Sequence, residues 1–222
     1  MALSSQIKHG DSTHFQRCTS KVAQDVLRMG ALVEESFRYS HESLFAQNID
    51  VVEKIIKMDK KIDQYYRQIE LDCASIMTLQ SPVAQDLRLL SAFMQLVRDL
   101  ERIGDYAKDL GKISRKLIIY PISPFMGEIA DMSKYAQLML AKSLIALAEL
   151  DGSAGKKIKF LDNTVDDAYD KIYNLLASQT NIKGVVEPLI LLALIIRHLE
   201  RMADHATNIG QRVSYIVTGH RV

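Results

Sequence analysis

The segment Arg98-Asp-Leu-Glu101-Arg-Ile-Gly-Asp105-Tyr-Ala-Lys-Asp109-Leu-Gly111 returns 99 residues later as Arg197-His-Leu-Glu200-Arg-Met-Ala-Asp204-His-Ala-Thr-Asn-Ile-Gly210. Between Val97 and Gly111 and their counterparts Ile196 to Gly210, seven of fifteen positions are identical, and most others are conservative exchanges such as Ile103 for Met202. A period of about 100 residues is far too long for a solenoid unit, so the chain must fold as two similar halves.

Helical spacing gives the repeated segment its chemistry. Glu101 and Asp105 are four residues apart, so their carboxylates share one helix face, and Asp109 extends the row by a turn. Like charges at that spacing cost an isolated helix roughly 0.2–0.5 kcal/mol unless a cation lies between them. An arginine or a metal ion can serve. Arg98 and Arg102 stand three residues before the two acids, so a solvated, arginine-balanced face explains one such motif. Two features favour a site instead. The acids continue the apolar stripe Leu87, Leu90, Met94 and Val97, and the second helix of each half carries its own Asp-x-x-x-Asp: Asp59 with Asp63, and Asp162 with Asp166. Each of those pairs is followed by Tyr and Ile at matching spacing, Tyr66 and Ile69 against Tyr169 and Ile172.

Apolar periodicity predicts an all-α chain of six helices. The first runs from about Thr13 to Ala46, with Phe15, Cys18, Val22, Val26, Met29, Val33, Phe37 and Leu44 on one side. Asp50 is expected to cap the second, and Ser81-Pro82 to start a third that reaches about Ile119. The third helix has a second apolar row, Leu89, Phe93, Leu96, Leu100, Ile103, Ala107 and Leu110, which requires packing on two sides. After the break at Tyr120–Pro124 the plan recurs over Phe125 to Leu150, Gly155 to Ala177 and Pro188 to Val217. Short connections make these two tandem antiparallel three-helix bundles, residues 1–120 and 121–222. On this plan one continuous four-helix core, with the third and sixth helices in a shared interior, would contradict the duplication.

Few prolines and glycines, four and ten, and 48% hydrophobic residues fit such bundles. A net charge of +1 disfavours nucleic acid as a partner, and the short run Lys156 to Lys159 reads as a solvated helix start. Cys18 and Cys73 have no metal-ligand spacing and read as small hydrophobes of a reduced chain. The N-terminus lacks a leader pattern, and the longest apolar run, Leu189 to Ile196, is eight residues against the ~20 that cross a bilayer. A cytoplasmic chain is expected.

If the second helix ends near Ile76 and the third begins near Pro82, Asp59 comes level with Asp99, within a turn of Glu101. The corresponding ends in the second half bring Asp162 and Asp166 within one residue of Asp204 and Glu200. Acids gathered this way need a counter-ion, and an all-oxygen set suits Mg²⁺, Mn²⁺ or iron. The chain has no Glu-x-x-His pair, which argues against a ferritin-like centre, and no cysteine set for a classical zinc site. His198 and His205 flank the second motif on other helix faces and are expected at a surface or a partner contact.

Pro82-Val-Ala-Gln-Asp86-Leu-Arg88, then Leu100-Glu101-Arg102-Ile-Gly-Asp105, and Leu199-Glu200-Arg201-Met-Ala-Asp204-His-Ala-Thr-Asn208 together resemble the PhoU family of phosphate-uptake regulators, in order and over nearly the whole chain. The resemblance implies a non-enzymatic cytoplasmic adaptor that represses the phosphate-starvation response. Its implied partners are the ATPase subunit of the phosphate ABC transporter and a phosphate sensor histidine kinase, with membrane contact only through them, and its expected assembly is a homodimer. It also implies metal sites at Glu101, Asp105, Glu200 and Asp204, faced by Asp59, Asp63, Asp162 and Asp166, with Asp109 and Asn208 as outer candidates. The expected cofactor is a divalent or ferric ion: iron, zinc, manganese or magnesium. Two departures stand out: Asp86-Leu-Arg88 has no second copy, and Asn208 replaces Asp109, so the halves need not bind metal equally. A structural or chaperone-like bundle and a carboxylate-bridged metalloenzyme are the rival classes.

Overall fold

The computed structural model describes residues 13–180 and 184–220. The N-terminal stretch expected to lack a leader lies outside them. Among the described residues there are six α-helices and no strand: α1 Thr13–Phe45, α2 Val52–Gln80, α3 Ala84–Leu117, α4 Met126–Glu149, α5 Ala154–Ala177 and α6 Glu187–Thr218, with a 3-10 turn Ile49–Val51 before α2. The all-α expectation holds, and so does the break at Tyr120–Pro124, where proline removes backbone donors from any continuing helix. None of these helices is long and apolar enough to cross a membrane.

Three local expectations are corrected. Asp50 lies inside the 3-10 turn and makes no side-chain cap; Val51 precedes α2. Ser81 does not open α3 but closes α2, in the left-handed region at φ 44°, with its N–H donating to the Met77 carbonyl. Pro82 then belongs to the connection, and α3 starts after the extended Val83. The stripe leading to Glu101 also frays at its start, since Leu87 is 44% exposed.

α1, α2 and α3 pack on one another, as do α4, α5 and α6, but α3 also packs along α6 and α1 against α4. Phe93, Leu96, Leu100, Ile103 and Leu110 of α3 and Leu192, Ile195, Leu199, Met202 and Ile209 of α6 are all essentially buried in one continuous core. The two halves are present as repeated three-helix sets, and all six helices contribute to one shared core rather than to a four-helix interior. The shared core follows from the second apolar row of α3. Each fully buried Leu or Ile contributes roughly 1.5–3 kcal/mol, and one three-helix bundle cannot cover both rows, so the third helices bury theirs against each other.

A polar latch sits at that contact. The buried Asp99 of α3 accepts from Arg212 Nε at 2.8 Å through one carboxylate oxygen and lies 2.9 Å from His205 Nδ1 through the other. Arg212 also donates to Gln95. Burial alone would raise the Asp99 carboxyl, but the hydrogen bonds and charges of His205 and Arg212 outweigh it and hold it below the ordinary 3.8. His198 and His205 flank Tyr106 of α3, with ring centroids 5.3 and 6.0 Å away. The two histidines therefore serve the contact between halves.

Close backbone approach is decided at Gly155, where α5 begins against α6. Its N–H donates to Ser214 Oγ at 3.2 Å, and an added Cβ would lie 2.8 Å from that oxygen and 3.4 Å from the Gly210 carbonyl oxygen.

Replacing Asp99 by Asn should destabilise the fold by about 2–3 kcal/mol in urea titrations at neutral pH, because Arg212 keeps its charge in a site only partly open to water. A carboxylate with a lowered pKa contributes stability above its unfolded pKa and loses it as pH falls through the folded one. The gap between wild type and Asp99→Asn should therefore close as pH drops below 3.8. Gly155→Ala should cost about 1–3 kcal/mol, the usual range for overpacking. Gly127→Ala, whose Cβ meets nothing within 4 Å, should be neutral or slightly stabilising.

Candidate functional site

The predicted acids sit on the outer faces of the α2–α3 and α5–α6 pairs, but the register in the first half differs from expectation. Because α2 runs on to Gln80, the two helices cross with Ile62 against Gly104 and Ile55 against Gly111. Asp59 is thereby carried past Asp99 to Asp105. Asp99 is left on the opposite face, in the latch to α6.

What joins the first set is a lysine. Lys108 Nζ donates to both oxygens of Asp59 at 2.9 Å and to Asp105 Oδ1 at 2.7 Å. Desolvation works against the ammonium, but the bonds to Asp105 and Asp59 dominate and hold its pKa above the usual lysine range. Burial pushes the Asp59 carboxyl up, as do the charges of Asp63 and Asp105, against the pull of Lys108. The three short contacts make the ion pair the state of this site at neutral pH. Glu101 is raised by burial and then by the charges of Asp105 and Asp63; Arg102, 3.7 Å away, opposes them. Asp109 lies apart from this group, paired with Lys112 at 2.8 Å.

The second set is balanced differently. Asp162 is almost fully buried; Lys159 donates to its Oδ2 at 2.6 Å, while Oδ1 has no hydrogen-bond partner. Arg197 grips both oxygens of Glu200 at 2.8 and 2.7 Å, and Arg201 donates to Asp204 at 3.1 Å. Asp166 is raised by burial and by the charges of Asp162, Asp204 and Asp170, with Lys159 opposing. Glu200 is raised by burial and then by Asp204. Asn208 does not extend this face: its amide lies 3.4 Å from Asp99, on the latch side. Among the described residues no three His, Cys, Asp or Glu side chains converge in their present rotamers to hold a metal ion.

Arginines collect where the halves meet. A cleft of about 720 Å³ is lined by Arg98, Arg102, Arg201 and Arg212 with Tyr66 and Tyr106. Cys73 is buried in the core, and its desolvated thiol is pushed up to about 12, as an inert small hydrophobe requires. The residues that spacing alone passed over are Lys108 and Asp99. Both stand where the repeats differ, Lys108 against Thr207 and Asp99 against His198, and that comparison was the available signal.

A PhoU domain matches residues 26–114 and again 129–213, one copy for each set of three helices. The chain is 62% identical over 220 residues to a protein of Synechocystis sp. named as a phosphate-specific transport system accessory protein PhoU homolog, covering 99% of this chain and 98% of that one. A protein of the same name from Streptococcus pneumoniae is 32% identical, over 91% of this chain and 94% of its own. The crystal structure of PhoU from Pseudomonas aeruginosa superposes with a TM-score of 0.89 at 29% identity, covering 93% of this chain and all of that one. The phosphate transport system regulatory protein PhoU from Streptococcus pneumoniae gives 0.83 at the same identity. With two domain matches in the order of the internal repeat, and relatives and folds that agree from end to end, this chain belongs to the PhoU family.

Proposed function

We propose that this protein is a cytoplasmic, non-enzymatic regulator of phosphate transport that represses the phosphate-starvation response when phosphate is ample, through the transporter's ATPase subunit and a sensor histidine kinase. The single observation that carries this is the end-to-end likeness to a phosphate-specific transport system accessory protein homolog. The distribution of polar chemistry is consistent with an adaptor. Glu101, Asp105, Asp166, Glu200 and Asp204 are partly exposed along the helix pairs, which suits recognition of a protein surface better than turnover of an enclosed substrate.

Metal binding is the second part of the proposal. The donor set fits a hard cation best in the second half, where desolvated carboxylates repel one another and the buried Asp162 Oδ1 is unpartnered. Asp162, Asp166, Glu200 and Asp204 would hold the ion, and it would supply the positive charge that ties α5 to α6. Without it, Arg197, Arg201 and Lys159 offset the acids from the solvent side. The acid face then differs in charge between metal-bound and metal-free protein, and a partner can read that difference.

Deletion of the gene should leave phosphate uptake and starvation genes active in phosphate-rich medium, measured by phosphate import and transcript levels. Wild-type protein should restore repression, whereas Glu200→Gln with Asp204→Asn should not, although its circular dichroism stays helical. Normal phosphate control in a deletion strain that lacks any second copy would overturn the regulator reading.

Asp166→Asn tests the electrostatics alone. A carboxyl with a raised pKa favours the fold below its unfolded pKa and loses that contribution as pH rises through the folded value, so its charge opposes folding at neutral pH. In metal-free buffer the variant should be more stable by about 0.2–0.5 kcal/mol at pH 7. The gain should vanish below the ordinary 3.8, where both proteins are uncharged at this position. A constant difference across that range would remove the like-charge explanation.

A further inference from the structure

Where the two halves meet, positive charge is left over. Asp99 is bonded to His205 and Tyr106 lies against His198, so α3 and α6 run antiparallel along each other. That register puts Arg102 within one residue of level with Arg201, its counterpart in the other repeat. Both line the cleft of about 720 Å³, together with Arg98 and Arg212. Equivalent cations from the two copies therefore share one cleft, where like charges repel.

Carboxylates of the protein do not settle this charge. Four guanidinium groups line the cleft against two carboxylates, Glu70 and Asp99. Asp99 is taken by Arg212 and His205, and Glu70 accepts from the Tyr66 hydroxyl at 2.9 Å. Arg98 is exposed, and its guanidinium makes no ion pair or hydrogen bond among the described residues. Arg102 lies 3.7 and 3.9 Å from Glu101 and Asp105, too far for good hydrogen bonds, and Arg201 meets Asp204 at 3.1 Å. Pairs as open as these contribute at most about 1 kcal/mol, so an anion can compete for both arginines.

We propose that the cleft between the halves binds a small phosphate-bearing anion, free phosphate or the phosphate groups of a nucleotide, through Arg98, Arg102 and Arg201. Guanidinium forks match phosphate oxygens two at a time, and three forks around one cleft can meet a tetrahedral group on several sides. A volume of about 720 Å³ is that of a small-molecule site, and Tyr66 and Tyr106 add flat rings to its wall. The bordering acids decide the size of the occupant. Glu101 and Asp105 on one helix and Asp204 on the other repel an extended polyanion such as nucleic acid or an acidic protein segment, whereas a compact anion needs only the arginines between them. Arg212 stays with Asp99, so binding leaves the latch intact. The site goes beyond the regulator reading, since it gives the junction of the two halves a ligand of its own.

The test uses full-length protein in chelator-containing buffer at about 0.15 M salt, where loose surface attraction is screened. Orthophosphate and ATP are the probes, and binding is read by equilibrium dialysis and calorimetry. Binding of orthophosphate identifies free phosphate as a ligand, and binding of ATP alone identifies a nucleotide; either supports the site when it is lost with the arginines. Arg102→Gln with Arg201→Gln should weaken binding about tenfold or more, as expected for a lost charge-assisted bond, and Arg98→Gln should weaken it by a smaller factor. Arg197, the counterpart of Arg98, lies outside the cleft and grips Glu200, so Arg197→Gln should bind as the wild type does. If the double variant loses its helical circular dichroism, Arg98→Gln decides, and unchanged binding there overturns the proposal. Failure of both probes to bind, or equal weakening in Arg197→Gln, also overturns it. An oligoglutamate peptide that binds where both probes fail would assign the cleft to an acidic protein segment instead. Because binding is measured on purified protein, its failure leaves the regulator reading, tested by phosphate control in cells, untouched.

Discussion

The helix pair α3 and α6 governs this structure. Each belongs to its own set of three helices, and each carries more apolar surface than that set can cover. Leu96, Leu100, Ile103 and Leu110 on one helix and Ile195, Leu199, Met202 and Ile209 on the other leave water together, so the hydrophobic effect that builds each half also joins the two. Polar specificity is placed on top of it. A buried carboxylate, Asp99, is held by His205 and Arg212 of the other half, which fixes how the repeats sit against each other in a way that apolar packing alone leaves looser.

The same crossing leaves the acids outside. Helices α2 and α5 come close to α3 and α6 because Gly111 and Gly210 present no side chain to Ile55 and Ile158. That approach brings carboxylates of neighbouring helices within each other's fields, where desolvation and like charge both raise Glu101, Asp166 and Glu200. Such a face needs positive charge to persist at neutral pH. One copy has it from Lys108; the other has arginines and a lysine working from the solvent side. The repeated acid faces are therefore balanced differently, by Lys108 in one half and by Lys159, Arg197 and Arg201 in the other.

The apolar core is settled by burial, while Asp99 and Arg212 in the arginine cleft also latch the two halves together.

Helix content, the break at Tyr120–Pro124, the repeat and the identity of the acids were all legible in the sequence, because each rests on local spacing: periods of three to four residues, proline, and a constant offset between copies. What joins what was not. The register between α2 and α3 turned on where one helix ended, and Ser81 in a left-handed conformation prolonged α2 to Gln80 and shifted the pairing of Asp59 from Asp99 to Asp105. Whether the halves share a core depended on how many sides of α3 its own neighbours could cover, which is a property of three-dimensional packing. The counter-ion likewise depended on distance, since a lysine three residues from an aspartate looks the same in sequence whether it points to water or to a second helix. Sequence determined which groups the protein has and the helices that carry them; only the tertiary structure decided which of those groups meet, because contacts between helices are set by registers and crossings that no local signal encodes.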